Sequence, residues 1–515
     1  SGLKSLDENF NPDFTNSESK QKQIDKLDKL IKKSADVIIA TDDDREGEGI
    51  GWHICDLFSL PVATTKRIIF NEITKKAICD AVQSPTVLNM NLVMAQQARQ
   101  ILDLVVGYKI SPVLWEFISQ KKGLSAGRCQ SPALKLIYEN QKEIDDAPGT
   151  LVYSTIGYFT KEVIPFSLNI QFKSQKESEE FLVETVNHEH KFKCEKEKEV
   201  SKREPIPFTT SKLQQQASNE MRSSPKETMR ICQTLYEAGL ITYMRTDSTK
   251  YSKEFIEKAK TFIVGKWGET YLNVDVDKLS EGARKPSKKT KKEEKTNAQE
   301  AHEAIRPTNI ETLEANEDMT PKEKKMYKMI WNNTVESCMP PAIYKTLMAV
   351  LTAAQGHLFK YSSEKNIFPG WKIVKGVNDD KSYFDYLKTL EKDQELDYKK
   401  VISNFTLKDL KMHFTEAKLV EMLEKRGIGR PSTFSSIIDR IQERDYVKRE
   451  NVTGKKMKCV NFELNDDEIV EKVEEKEFGN EKNKLVIQPI GTLVIEFLIK
   501  HFDMFIDYDY TKEME

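Results

Sequence analysis

The sequence predicts a multidomain protein that combines an α/β segment with mainly helical regions and separate β-rich stretches. The first observation is length, because 515 residues exceed the roughly 250–300 that one hydrophobic core usually serves. The second is an apolar strand pattern at residues 37–41, between two helical patterns. The third is a change to strand periodicity near residue 150 and a return to helical spacing near residue 210.

The elements follow from apolar periodicity in chain order. Helices are predicted at 20–34, from residue 50 to 57, at 89–108 and at 123–144, strands at 151–159 and 163–172, a helical stretch from about 210 to 338, and strand-like pieces near 345–373. Residues 280–299 are polar and lysine-rich. That composition favours a solvated loop over a segment that binds a polyanion.

Composition restricts the function only broadly. The 80 basic and 82 acidic residues nearly cancel, so nucleic acid binding would need a local groove rather than a basic surface overall. Seven cysteines occur singly without CxxC spacing, which argues against a structural zinc site. No apolar run approaches the roughly 20 residues of a membrane span, so we expect no membrane association. We expect an intracellular protein, cytoplasmic or nucleoid-associated, and the lysines of 280–299 leave a nuclear location open.

Two segments of the chain align without a gap at an offset of 206 residues. Pro225 aligns with Pro431, Ile231 with Ile437, and Tyr243 with Arg449. Each segment reads as a helix followed by a short apolar strand, which is similar to part of a winged-helix unit. Two unrelated helix–turn–strand units would give the same pattern.

An acidic turn follows the strand predicted at 37–41. Asp42, Asp44 and Glu46 occupy alternating positions there, and ligands of open α/β sheets usually sit at the carboxyl ends of strands. Clustered carboxylates suit Mg²⁺, which takes one or two of them together with water and phosphate oxygens. The alternative is an acidic helix start, where each acid would gain only ~0.3–1 kcal/mol from the helix dipole.

A second candidate site lies in GLITYMRTDS. On a strand, Tyr243, Arg245 and Asp247 would share one face. A phenol with a pKa of ~10 is a poor nucleophile unless a cation or base assists it, and Arg245 supplies a guanidinium that also suits a phosphate. Asp247 would orient Arg245. The alternative is a tyrosine that merely favours a β-strand.

These strings carry a family resemblance. The run from Ala40 to His53 resembles the TOPRIM signature of topoisomerases, primases and some nucleases, in the form that type IA DNA topoisomerases have. ITYMRTDS is similar to the active-site string of bacterial-type topoisomerase I. The resemblance implies that Tyr243 becomes linked to a 5′ DNA phosphate and that Asp42, Asp44 and Glu46 hold Mg²⁺, with Glu46 also catalytic.

Further strings match the family in order. By resemblance, His302 of EAHEAIRPT lies near the scissile phosphate and Arg306 contacts DNA, and we expect the two residues one helical turn apart. A packed or solvated histidine is the ordinary alternative. The remaining expected DNA-binding positions are Arg99, Asp103, Tyr108, Arg128, Gln130 and, in ITYMRTDS, Asp247. An i,i+4 salt bridge would also explain Arg99 and Asp103, and Gln100 stands where bacterial members usually have a second arginine.

The resemblance implies a torus of four parts, which divides the chain as follows: 1–85, incomplete TOPRIM domain; 86–145 and 409–515, helical base; 146–205 and 339–408, β-rich arch; 206–338, winged-helix-like domain with Tyr243. The family's VESPxKA strand and its zinc ribbons are not found in this sequence. We therefore expect an N-terminal truncation, and with it weak or no relaxation of supercoiled DNA.

The expected activity is cleavage, passage and resealing of DNA that is single-stranded or negatively supercoiled, by a monomer. No ATP is expected, because no GxxxxGK[ST] loop occurs. Two other readings stay open. A primase or nuclease would also use a TOPRIM domain but would not need ITYMRTDS. An impaired fragment would bind single-stranded DNA without forming a covalent adduct.

Overall fold

The computed structural model describes residues 12, 14–118, 123–281, 302–376 and 382–514. Within these ranges, buried apolar side chains form four separate clusters. Separate cores are what a chain of this length requires, so the multidomain expectation is confirmed. The lysine-rich loop predicted at 280–299 lies outside the described residues, apart from Ser280 and Glu281.

The first part of the chain is α/β and then helical. Its helices and strands are α1 (Gln21–Ile31), β1 (Ile38–Ile39), α2 (Arg45–Leu57), β2 (Lys66–Arg67), α3 (Lys75–Gln83), α4 (Met90–Phe117) and α5 (Gln130–Asp146). Strands β1 and β2 pair in parallel. The strand predicted at 37–41 is therefore real but only two residues long, and the acidic turn follows it directly.

The middle of the chain alternates between strands and helices. Its elements are β3 (Thr150–Phe159), β4 (Ile164–Phe172), α6 (Gln175–Val186), β5 (Phe192–Cys194), β6 (Lys198–Lys202), α7 (Thr210–Met221), α8 (Pro225–Glu237), α9 (Lys253–Trp267) and α10 (Pro321–Ser337). The strands predicted at 151–159 and 163–172 correspond to β3 and β4. The helical stretch predicted from 210 to 338 is interrupted between α8 and α9 and again before α10.

The last part contains the remaining strands and helices. They are β7 (Ala342–Thr352), β8 (Leu358–Phe368), α11 (Phe384–Lys388), β9 (Tyr398–Lys408), α12 (Glu416–Lys425), α13 (Phe434–Glu443), β10 (Val447–Val452), β11 (Lys455–Asn465), β12 (Glu468–Phe478), β13 (Glu481–Ile487), α14 (Pro489–His501) and α15 (Tyr508–Met514). A short 3₁₀ helix, Gly370–Lys375, follows β8.

A large antiparallel sheet forms the β-rich part of the molecule. Its strand order is β12-β11-β9-β3-β4-β8-β7-β5, and β6 also pairs with β7. The sheet thus takes strands from the two predicted arch stretches, 146–205 and 339–408. It also takes the hairpin β11–β12, which the sequence-based division assigned to the helical base. That hairpin was missed because charged residues dominate β12, whose side chains are mostly exposed.

The repeat predicted from the sequence is present in the structure. Helices α8 and α13 end in the same way: the N–H groups of Leu240 and Tyr446 donate to the carbonyls of Leu235 and Ile441. Gly239 and its aligned residue Asp445 both have positive φ. The strand after the helix differs, because the second copy forms β10 while the first makes only an isolated bridge at Ile241.

Candidate active site

The acidic turn is built by the start of helix α2. Asp44 is the N-cap residue, and its Oδ1 accepts a hydrogen bond of 2.8 Å from the N–H of Gly47. The hydroxyl of Thr41 donates to the carbonyl of Gly47 over 2.7 Å. A Cβ on Gly47 would lie 1.9 Å from the Asp42 carbonyl oxygen, so glycine is required for this tight turn. The alternative of an acidic helix start therefore describes Asp44 correctly, but capping the helix occupies only one of its two carboxylate oxygens.

The second oxygen of Asp44 joins the acidic turn to Tyr243. The Tyr243 hydroxyl donates to Asp44 Oδ2 over 2.6 Å. Arg245 Nη1 donates to the same oxygen over 3.3 Å and lies 3.5 Å from the Tyr243 hydroxyl. Three residues selected from two distant sequence motifs thus meet around one carboxylate oxygen.

The chain at Tyr243 is not a regular strand, because it forms an isolated bridge at Ile241 and bends at Met244. The N–H of Tyr243 donates to the Asn71 carbonyl over 2.8 Å, which ties this segment to the chain just after β2. Tyr243 is 2% exposed and packs against Tyr236, with ring centroids 5.3 Å apart. The strand predicted here was wrong in detail, but the segment still directs Tyr243 and Arg245 to the same partner.

Burial controls the ionisation of this cluster. Loss of solvation raises the pKa of Tyr243, the Asp44 carboxylate raises it further, and Arg245 opposes both effects. Burial and the Asp44 charge also raise the pKa of Asp42, again against Arg245. Tyr243 is therefore a protonated phenol in this arrangement. Its hydroxyl donates to Asp44, so the cluster pairs a buried phenol with a carboxylate able to accept its proton.

His302 and Arg306 lie in an extended segment rather than a helix. This segment bridges Phe208 and Ile241 through Ile305 and Pro307, which corrects the expectation that His302 and Arg306 stand one helical turn apart. The tertiary pairing overrides the apparent helical spacing. As a result, the His302 and Arg306 side chains do not share one face and contact different neighbours.

The His302 ring belongs to the Tyr243 cluster. It is buried, its centroid lies 6.1 Å from that of Tyr243, and its Nδ1 lies 3.5 Å from Asp43 Oδ2. Arg306 instead donates to Glu303 over 2.6 Å and to Glu72 over 3.1 Å. Its guanidinium carbon lies 4.4 Å from the centre of the Phe255 ring. Arg306 therefore joins the winged-helix segment to the chain after β2.

A small cleft opens beside Asp44 and Arg245. Glu46, Asp247 and His302 also line it. The far wall comes from Arg430, Pro431 and Ser432, which precede α13 in the second copy of the repeat. The sequence places Pro431 in the repeat but does not indicate that this turn lies near Tyr243. The packing of α7 against α12 and of α8 against α13 joins these two parts of the chain and brings the turn there.

A chain of ion pairs runs from the cleft into the helical base. Arg99 Nη1 lies 3.6 Å from Glu46 Oε1, and Arg99 Nε lies 3.9 Å from Asp103 Oδ2. Asp103 also accepts a 3.1 Å hydrogen bond from Nε of Arg128, which is 1% exposed. The i,i+4 pair considered as the ordinary alternative is therefore present, as one link of a longer chain.

Tyr108 and Gln130 lie apart from this chain of ion pairs. Tyr108 is 53% exposed on α4, and nine residues place it roughly half a turn around the helix from Arg99. Gln130 begins α5, and its amide donates to Ser125 Oγ over 3.1 Å. Of the predicted DNA-binding residues, Tyr108 thus presents the most open surface, whereas Arg128 and Arg306 are buried.

The acidic turn suits a divalent cation held partly by non-protein ligands. Among the described residues, no three Asp, Glu, His or Cys side chains converge as a complete metal cage. The Asp42 carboxylate accepts no hydrogen bond from any described residue. Burial raises its pKa, and the nearby Asp44 charge raises it further. Mg²⁺ characteristically binds one or two carboxylates and completes its shell with water and phosphate oxygens. The donor set fits that kind of site.

In the part of the chain that the structure describes, no helix combines the length and the apolar character that crossing a bilayer requires.

Comparison with protein families finds two matching models. The DNA topoisomerase model matches residues 87–462, and the Toprim domain model matches residues 4–73. DNA topoisomerase 1 of Vibrio cholerae is 37% identical over 514 residues, which cover 96% of this chain and 52% of that protein. DNA topoisomerase 1 of Helicobacter pylori is 36% identical and is matched over 100% of this chain and 66% of its own length. The chain spans about half to two thirds of these curated relatives.

A solved structure is similar over nearly the whole chain. Full-length topoisomerase I from Thermotoga maritima superposes with a TM-score of 0.77 at 30% identity, covering 99% of this chain and 78% of that one. The fold class predicted from the sequence, a torus with a TOPRIM domain, winged-helix-like parts and a β-rich arch, is confirmed by this match.

Proposed function

The chain belongs to the type IA DNA topoisomerase family, and from that premise we propose that it cleaves and reseals one DNA strand through a covalent bond to Tyr243. The observation that carries the proposal is the shared oxygen of Asp44, which accepts hydrogen bonds from both the Tyr243 hydroxyl and Arg245. A phenol, its proton acceptor and a guanidinium in contact are the groups that attack on a phosphodiester requires.

The proposed reaction is a transesterification. The Tyr243 oxygen forms a bond to phosphorus and gives its proton to Asp44, while the bond from phosphorus to the 3′ oxygen breaks. The products are a 5′-phosphotyrosine and a DNA end that, after taking up a proton, is a free 3′-hydroxyl. Arg245 and His302 stabilise charge on the phosphate. Resealing reverses these steps. Because the phosphotyrosine conserves the bond energy, no ATP is needed.

The burial of Tyr243 requires the site to open before DNA enters. Tyr243 is 2% exposed; its hydroxyl bonds to the acidic turn, and its main-chain N–H bonds to the chain near Asn71. Separation of these parts from the winged-helix segment would expose the phenol and admit a single strand. We propose the same opening as the route by which a second strand passes.

Mg²⁺ would be held by one or two of Asp42, Asp44 and Glu46 at a time, with water and phosphate oxygens completing its shell. Burial and repulsion from Asp44 raise the pKa of Asp42, and a divalent ion there would offset that repulsion. It would also supply electrostatic stabilisation and alignment of phosphate oxygens. The ion pair with Arg99 would keep the Glu46 side chain oriented toward the cleft.

We propose single-stranded DNA as the preferred substrate, bound from the cleft toward the helical base. Arg430 and Asp247 line the entrance, and the chain of Arg99, Asp103 and Arg128 continues from it. Exposed Tyr108 offers a ring on which a base can stack. Gln130 lies at the start of α5 beside Arg128. The buried Arg306 would act on DNA only after the interface with Glu72 opens.

The test is covalent capture of DNA. Protein is incubated with a labelled single-stranded oligonucleotide, quenched with detergent and examined for protein-linked label. We expect label on the parent protein and none on Tyr243→Phe. The matched control is Tyr236→Phe, which alters a buried neighbouring tyrosine and should retain the label. Label on Tyr243→Phe, or none on the parent protein, would contradict the proposal.

A further inference from the structure

Arg67 is a fully buried arginine behind the acidic turn. It ends strand β2 and has 0% of its surface exposed. Its Nη2 donates to the main-chain carbonyl of Asp42 over 3.1 Å and lies 3.3 Å from Glu48 Oε1. Among the described residues, its Nε and Nη1 have no hydrogen-bond acceptor. Burying a cation with unused donors is unfavourable, so the contacts that Arg67 does make must offset this cost.

The carbonyl of Asp42 is held from two sides. On one side it lies so close to Gly47 that a Cβ there would be 1.9 Å away. On the other side it accepts the hydrogen bond from Arg67. Helix α2 and strand β2 therefore clamp the peptide that carries the Asp42 side chain. Neither clamp depends on the carboxylate itself.

Glu48 extends this support to the start of α4. Its Oε2 accepts a 3.0 Å hydrogen bond from the N–H of Asn89, the N-cap residue of α4, while Oε1 faces Arg67. Arg67 thus connects the acidic turn and the helix that carries Arg99. If Arg67 had only a structural role, its ion pair with Glu48 would be enough. A buried ion pair of that kind often adds little net stability. The bond to the Asp42 carbonyl is the feature that such a role leaves unexplained.

We propose that Arg67 is a positioning residue that fixes the main chain of the acidic turn, so that Asp42 and Asp44 are correctly placed for a divalent cation and for Tyr243. This inference rests on the proposed function, because it concerns the same site. It predicts that loss of Arg67 weakens cation binding even when the fold is preserved.

The test replaces the ion pair by apolar side chains. In Arg67→Met/Glu48→Met no buried charge is left unpaired, so the double variant should fold. We expect its half-saturating Mg²⁺ concentration to rise by about tenfold to a hundredfold, the usual effect of losing an outer-shell support. Mg²⁺ binding is measured by calorimetry on the full chain without DNA, and again from the Mg²⁺ dependence of resealing. Thermal melting checks the fold.

Two further variants make the comparison decisive. Arg449→Met/Glu416→Met removes an ion pair in the second winged-helix copy and should leave Mg²⁺ binding unchanged. Arg67→Lys keeps the charge but not the planar fork; it should show a smaller shift in the same direction, and it carries the test if the double variant melts early.

The possible outcomes separate the inference from the proposed function. Mg²⁺ binding by folded Arg67→Met/Glu48→Met that equals the parent protein's would overturn the inference, while metal-free covalent capture by the parent would still support Tyr243 as nucleophile. Failure of the parent to form any covalent adduct would overturn the proposed function instead. A shift in Mg²⁺ binding beside normal adduct formation supports both.

Discussion

At the scale of single residues, the site is organised by carboxylates whose surroundings differ. Asp44 has one oxygen fixed by a helix N-terminus and the other shared by a phenol and a guanidinium. Asp42, two residues earlier, is partly buried beside it and has a raised pKa. Identical side chains thus take different roles because their hydrogen bonds differ.

A carboxylate far from the site gives a prediction for pH. Glu336 on α10 is 3% exposed, and burial raises its pKa to about 7 although Lys375 lies 3.4 Å away and opposes the rise. Because the folded pKa is raised, the folded protein binds the proton more tightly than the unfolded chain. The stability that protonated Glu336 contributes is complete below about pH 4.5 and is lost as pH rises through about 7.

Glu336→Gln should therefore stabilise the protein increasingly with pH. The measurement is the free energy of unfolding of the variant minus that of the parent, obtained by denaturant unfolding at pH 5 and at pH 8. We expect this difference to be larger at pH 8 by roughly 2–3 kcal/mol. Glu314→Gln, at an exposed position, should show no such difference. Parallel pH profiles for the parent and Glu336→Gln would refute the shifted pKa.

At the scale of elements, sequence patterns predicted the helices more reliably than the segments that carry chemistry. Strands β3 and β4 and the repeated helices α8 and α13 follow from periodicity. The segments at Tyr243 and His302 do not, because tertiary bridges fix their conformation. The acidic turn was recognised from composition, but its tightness depends on the closeness of Gly47 to Asp42, which no local pattern reveals.

Gly47→Ala should damage the site through backbone geometry. Its Cβ would overlap the Asp42 carbonyl oxygen, so the turn must shift, and a displacement of about 1 Å can reduce a rate by about a hundredfold. We expect covalent adduct formation to slow accordingly. The control is Gly265→Ala in α9, where a Cβ meets nothing within 4 Å. That variant should gain up to about 1 kcal/mol of stability and keep its activity; equal rates for both variants would disprove the account.

At the scale of the whole molecule, the site is assembled from parts that are distant in sequence. Asp44 comes from the TOPRIM segment, Tyr243 from the first copy of the repeat and Arg430 from the second, while His302 comes from the segment before α10. The sequence identified Asp44 and Tyr243 as separate motifs but could not reveal their 2.6 Å contact, nor that Arg430 faces them. Assignment of β11 and β12 to the β-rich sheet likewise depends on long-range pairing with β9.

Arg430→Ala tests whether the second copy of the repeat contributes to DNA binding. Loss of one charge-assisted phosphate contact should weaken binding of single-stranded DNA by about tenfold. Saturating DNA should restore adduct formation, since Tyr243 is unchanged. Arg440→Ala, at an exposed position on α13, serves as the control and should bind normally. Unaltered DNA binding by Arg430→Ala, measured by fluorescence anisotropy at fixed salt, would exclude this role.

Mass spectrometry of the covalent adduct identifies the residue that carries the cleaved DNA strand. After cleavage of single-stranded DNA, proteolysis at Arg230 and Arg245 yields a peptide that contains both Tyr236 and Tyr243, and fragmentation distinguishes them. We predict a nucleotide attached through its 5′ phosphate to Tyr243, with a free 3′-hydroxyl on the released strand. Attachment at Tyr236 or at any other residue, or a phosphate left on the 3′ end, would contradict the account.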